Sequence, residues 1–156
     1  MKIDFIKFLT KQAKERYKTC IVYSKPLLGK TNFAKNISKS FDCSYVDFLK
    51  FVIDKESLKN NIDIFFPNDF KENIKKIETV YKNKYIFIDN IDFLLNSWTQ
   101  RDLKEFLNII DKYNSKKVIV FFIQDRDFLH NKDMKNTYKQ NRILDLYKLK
   151  QFKLQR

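Results

Sequence analysis

The sequence predicts a three-layer α/β sandwich built on a parallel five-stranded sheet, and three observations predict it. Short apolar runs alternate with stretches of helical periodicity along the whole chain. One apolar run leads through a turn containing Gly29-Lys30-Thr31 into a helical stretch, and another stops abruptly at Asp89. Strands separated by helices cannot close as hairpins; they pair in parallel, with helices on both faces.

The elements follow in order. Residues 3–17 carry Ile3, Ile6, Phe8, Leu9 and Ala13 near helical spacing and predict a first amphipathic helix. Residues 19–23 form a short apolar run, the first strand, and residues 32–38 a helix with Phe33, Ala34 and Ile37 on one face. Residues 44–48 predict a second strand. Leu49, Phe51, Val52 and Ile53 either extend that strand or open a helix. A break at Phe65, Phe66 and Pro67 precedes a helix over 70–82, on which Ile74, Ile77 and Tyr81 share a face. Residues 85–88 are a buried strand, and Asp92, Phe93 and Leu94 a turn or short helical start. The next helix spans 99–113, with Thr99 as N-cap and Asp102 as its capping-box acceptor. Residues 117–123 are strongly apolar and strand-like. Residues 127–142 read as helix and loop, and residues 145–154 as a final strand with a basic tail.

At 156 residues the chain suits one domain, spanning 1–156. Sixteen Phe and eight Tyr supply the bulk of a core, because aromatic side chains bury the largest areas. One Gly and two Pro leave little room for linkers or disorder. Cys20 and Cys43 lie in apolar stretches and read as buried free thiols of a cytoplasmic protein. No apolar run approaches the roughly 20 residues of a membrane span. The net charge is +13. Such a balance favours polyanions, DNA first among them. The bias of an AT-rich genome toward Lys, Asn, Ile, Phe and Tyr produces the same balance, and both origins stay open.

The chemistry concentrates in the turn. Ser24-Lys25-Pro26-Leu27-Leu28-Gly29-Lys30-Thr31 matches the phosphate-binding pattern G-x-x-x-x-G-K-[ST], except that Ser24 replaces the first glycine. The strand before it and the helix after it are the context the pattern requires. Backbone N–H groups at a helix start point toward phosphate oxygens and carry partial positive charge. Ser24 through Thr31 together with Asn32 are therefore the expected nucleotide cradle. Gly29 allows close approach or a positive φ. Lys30 is expected to reach the β- and γ-phosphates of ATP, and Thr31 to offer its hydroxyl to Mg²⁺. Pro26 removes one backbone donor from the cradle.

Asp89, ending a buried strand, is the second expected Mg²⁺ ligand. ATP-hydrolysing proteins of this class usually carry Glu after that Asp; here it is Asn90, which can hydrogen-bond a water but cannot take its proton. Asp92 is a candidate substitute, or simply a helix cap. Asp125, beyond the last long strand, is assigned with Asn90 and Asp92 to the γ-phosphate side. Arg126 and Arg142 are candidates to reach across a subunit interface. His130, the sole histidine, supports neither a metal cluster nor a triad and is expected at the surface.

These motifs resemble the AAA+ class. Ile88-Asp89-Asn90-Ile91-Asp92-Phe93-Leu94, the helix after it, and the strand running from Ile119 into Gln124-Asp125-Arg126 are similar to the ATPase core of the DnaA/Hda replication-initiator family. The Asp-Asn pair is similar to that of the Hda branch. Few residues follow the last predicted strand, so neither a helical lid domain nor a DNA-binding helix-turn-helix is expected. A short P-loop protein of this kind also resembles the BrxF family of type 3 BREX anti-phage systems. That resemblance implies phage defence, DNA, and partners that are copies of the chain or other defence proteins. A different class stays open: a basic DNA-binding or assembly module whose phosphate loop is a relic. A nucleotide kinase is disfavoured, because no arginine-rich lid segment is present.

Overall fold

The computed structural model describes residues 2–54 and 65–153. Its five strands are β1 (Cys20–Ser24), β2 (Cys43–Asp47), β3 (Tyr85–Asp89), β4 (Val118–Gln124) and β5 (Ile143–Asp145). They pair in the order β2-β3-β4-β1-β5, every pair parallel. The helices are α1 (Phe5–Gln12), α2 (Lys30–Ser38), α3 (Phe48–Ile53), α4 (Pro67–Val80), α5 (Asp92–Ser97) and α6 (Gln100–Lys112). Among the described residues no helix is long and apolar enough to cross a membrane.

Alternation along each strand sorts the core into two layers. Ile21, Ile86, Ile88, Ile119, Phe121 and Ile123 face α3, α4, α5 and α6. Cys20, Val22, Phe87, Val118, Val120 and Phe122 face α1 and α2. Because both faces are covered, β3 and most of β4 read as unbroken apolar runs, and every residue of β3 is buried. Phe70 of α4 knits the first layer, with ring centroids 5.2 Å from both Phe48 and Phe106 and 5.7 Å from Phe121. Such tilted and edge-on ring pairs suit the aromatic quadrupole.

Local capping follows the sequence where the signals are strong. Thr99 Oγ1 accepts from the Asp102 N–H at 3.2 Å, and Asp102 Oδ2 accepts from the Thr99 N–H at 3.1 Å, the reciprocal box expected there. The residues left between strand and helix resolve as helix, since Asp47 ends β2 and caps α3 through the Lys50 N–H.

Several elements differ from the sequence reading. Helix α1 stops at Gln12, whose side-chain amide donates to the Tyr17 carbonyl at 2.6 Å and turns the chain out of the helix. Residues 127–142 form only one 3-10 turn, Asp127–Asn131, before irregular chain. Few apolar side chains lie there to stripe a helix, and Leu129 and Met134 alone are buried among its hydrophobics. The last strand is the three-residue β5, and the chain after it coils through a 3-10 turn at Leu146–Lys148. Leu146, Leu149 and Phe152 recur every third residue and are all buried, so that stretch packs as turns and not as an alternating strand. The predicted end of that strand, Leu154, lies outside the described residues. Cys20 is fully buried, and burial pushes its thiol up to about 12. Cys43 is only partly buried, contrary to expectation.

Arg142 is the largest correction. It is 2% exposed and cannot serve a neighbouring subunit. Its guanidinium donates to Asp111 Oδ1 at 2.7 Å, to the Thr19 carbonyl at 2.9 Å and to Thr19 Oγ1 at 2.8 Å. This fork ties the start of β5 to the entry of β1 and the end of α6. Breaking a buried ion pair from one side strands the other charge. We therefore expect Arg142→Ala to lower unfolding free energy by about 3 kcal/mol in urea titration. A loss under about 0.5 kcal/mol, the size of an ordinary surface change, would show the fork to be dispensable.

Candidate functional site

All strands are parallel, so their carboxyl ends share one edge, where the connecting loops converge. β1 ends at Ser24, in register with Gln124 of β4. Ser24 keeps the extended backbone of the strand, which is why a residue with a Cβ fits where a glycine is usual. Its Oγ is buried without a hydrogen-bond partner. The loop then turns through two left-handed residues, Leu27 with φ 65° and Gly29 with φ 91°. A Cβ on Gly29 would meet no atom within 4 Å, so the glycine is required by its backbone angle and not by crowding. Gly29 is also the N-cap of the nine-residue α2, and its carbonyl accepts the Phe33 N–H at 2.9 Å. The helix start thus faces the loop interior. Leu27 projects fully into solvent.

Lys30 and Thr31, in the first turn of α2, reach to Asp89 at the end of β3. Lys30 Nζ lies 2.5 Å from Asp89 Oδ1, and Thr31 Oγ1 donates to Oδ2 at 2.6 Å. β4 separates β1 from β3 in the sheet, so these contacts span the carboxyl end of an intervening strand. Tyr45 of β2 adds a third donor, its hydroxyl 2.7 Å from Oδ2. The Asp89 carboxylate has no exposed surface. Burial alone would push its pKa up; the Lys30 charge and the three donors outweigh burial and hold it below the ordinary carboxylate value. The same contact acts oppositely on Tyr45, whose phenol is pushed up by burial and by the neighbouring carboxylate.

The other candidates divide between two places. Asn90 follows Asp89 with a left-handed backbone, φ 61°, and its amide donates to Asp47 Oδ2 at 2.8 Å. Asp92 points to the end of β4, the strand between β1 and β3: its Oδ1 accepts the Gln124 N–H at 3.0 Å and Arg126 Nη2 at 3.2 Å. Arg126 is thereby held within its own chain. Asp125 lies beside the end of β1, its N–H donating to the Ser24 carbonyl at 2.9 Å, and its carboxylate 2.6 Å from His130 Nε2. His130 is half-exposed. Among the described residues no group of His, Cys, Asp and Glu forms a metal cluster.

Two residues at this edge carried no functional expectation: Tyr45 and Asp47. Asp47 had a signal, since it is an acidic residue at the carboxyl end of a strand, as Asp89 is. Tyr45 had none, because only the register of β2 against β3 brings its hydroxyl to Asp89.

A strand–loop–helix with a left-handed glycine, lysine and threonine, converging on a buried aspartate across one strand, is the arrangement that the phosphate-loop pattern calls for. Residues 20–143 match the ATPase family associated with various cellular activities, AAA. The chain belongs to the AAA family. No curated protein matches it. It is accordingly an ATP-binding P-loop protein of the AAA+ kind. The donor set fits a magnesium nucleotide: one ammonium, one hydroxyl and one carboxylate meet at a helix start, and hydroxyl and carboxylate oxygens suit a hard cation.

Tyr45→Phe removes one donor from a buried carboxylate without changing the ring. A hydrogen bond to a charged group contributes about 1.5 kcal/mol or more. We expect that loss in urea unfolding without nucleotide; an unchanged midpoint would mean that Lys30 and Thr31 suffice to hold Asp89.

Proposed function

We propose that the chain is a slow or partner-dependent ATPase that acts in a DNA-associated assembly such as BREX anti-phage defence. The observation that carries the nucleotide chemistry is the meeting of Lys30 and Thr31 on Asp89 at the edge where the loops converge. On binding, Lys30 exchanges Asp89 for the β- and γ-phosphate oxygens. The N–H groups at the start of α2 donate to phosphate, with Ser24, Lys25, Pro26, Leu27, Leu28, Gly29 and Asn32 shaping the cradle. Thr31 and Asp89 would hold Mg²⁺, which when bound would neutralise charge on the phosphate oxygens. Slow turnover is supported by Asn90, which stands where a proton-accepting glutamate is usual, and by the engagement of Asp92 with Gln124 and Arg126.

AAA proteins often assemble as oligomers, and a neighbouring copy would close the nucleotide face. The DNA part rests on the charge of +13 and on the resemblance to initiator and BREX proteins.

Calorimetry with Mg²⁺ and ATP tests the reading. Wild type is expected to bind and Lys30→Ala to lose at least about tenfold in affinity, the cost of roughly 1.4 kcal/mol of phosphate contact. Equal binding by the two proteins would remove Lys30 from the site.

The charge favours a second reading, a basic module that binds DNA without turning ATP over. In both readings DNA affinity falls steeply between about 50 and 200 mM salt, because phosphate contacts release counterions. Under the second alone, DNA binding ignores ATP and the Lys30→Ala change. A salt-independent interaction would dismiss DNA as the polyanion.

A further inference from the structure

β2 ends in an aspartate as β3 does, and the two are paired: Asp47 is in register with Asp89. Partners in a parallel ladder point to the same face, so the second carboxylate lies beside the metal-binding one, on the α2 side of the sheet. Asp47 is also oriented. The Asn90 amide donates to its Oδ2 at 2.8 Å, and the Lys50 N–H to its Oδ1 at 3.1 Å. Each carboxylate oxygen keeps a lone pair beyond these donors. With Lys35, Tyr45 and Lys50, Asp47 lines a cavity of about 600 Å³ that opens to solvent. The other two acidic candidates are committed elsewhere: Asp92 to Gln124 and Arg126, Asp125 to His130.

We propose that Asp47 is the catalytic base of ATP hydrolysis and that Asn90 is its positioning residue. The proposal rests on the ATPase reading above. The carboxylate that the sequence lacks after Asp89 is supplied from the neighbouring strand, and the amide at that position aims it. In the step, an O–H bond of water breaks and its proton passes to a carboxylate oxygen of Asp47. The water oxygen bonds to the γ-phosphorus. The bond from that phosphorus to the β–γ bridging oxygen breaks, and ADP leaves with the bridging oxygen and the electron pair. Inorganic phosphate forms, and the proton leaves Asp47 through the cavity to solvent.

Asp47 also caps α3, and a test must separate the two roles. Asn caps a helix about as well as Asp, so Asp47→Asn keeps the fold and removes the base. We expect kcat to fall at least about 100-fold, the usual contribution of a positioned base. Melting temperature and calorimetric affinity for Mg-ATP stay unchanged. Affinity for Mg-ADP with aluminium fluoride, which mimics the transferring phosphoryl group with its attacking water, falls at least about tenfold. Adding Asn90→Glu to Asp47→Asn restores turnover by returning a carboxylate to the position after Asp89. Turnover of Asp47→Asn at the wild-type rate overturns the proposal, as does a parallel loss of ATP binding and melting temperature, which marks a purely structural residue. Wild type that binds Mg-ATP without ever hydrolysing it overturns it too. Wild type that binds no nucleotide brings down the ATPase reading itself.

Discussion

Asp89 is a carboxylate with no exposed surface, set at the end of a strand whose other residues are apolar. An ionised group in that position is untenable unless its charge is met. It is met from two directions, by Lys30 and Thr31 on α2 and by Tyr45 on β2. The contact therefore fixes more than a ligand. It locks the first turn of α2 over the sheet and holds the phosphate loop at the carboxyl edge. It also sets β2 and β3 in the register that brings Asp47 beside Asn90. Much of the site's geometry follows from solving the electrostatics of one side chain.

The parts legible in the sequence are those in which local pattern and tertiary demand agree. The β1–loop–α2 segment carried an apolar run, a glycine able to take a positive φ and a helical stripe, each pointing to one answer. β3 and β4 are buried on both faces and so appear as plain apolar runs. The Thr99–Asp102 box was visible because it is a contact within one turn. The segment from Asp127 onward was not, because its conformation is imposed from outside. Arg142 is placed by Thr19 and Asp111, and the chain after β5 by its bridge to Ile3. No local period encodes a partner 31 residues away, as Asp111 is from Arg142, or 123 away, as Thr19 is.

The same reason explains what was hidden at the site. Lys30, Thr31 and Asp89 announce themselves through motifs, whereas Tyr45 and Asp47 become neighbours of Asp89 only through strand pairing. Asp92 shows the reverse. Its closeness in sequence to Asp89 suggested a shared role, yet its place at the start of α5 turns its carboxylate to the end of β4. Sequence proximity at a strand end is a poor guide to which side of the next turn a side chain takes.

The exposed tip of the phosphate loop has its own consequence. Leu27 combines a left-handed backbone with complete exposure of an apolar side chain, at the apex of the segment expected to wrap phosphate. A leucine gains nothing by holding that conformation in water, since it bears the left-handed strain and buries no surface. The apex is thus the part of the loop with least to lose by moving. A ligand that draws the cradle around itself meets its lowest resistance there, so the loop's adaptability is concentrated in one residue while its two ends stay fixed, Ser24 in the sheet and Gly29 at the start of α2.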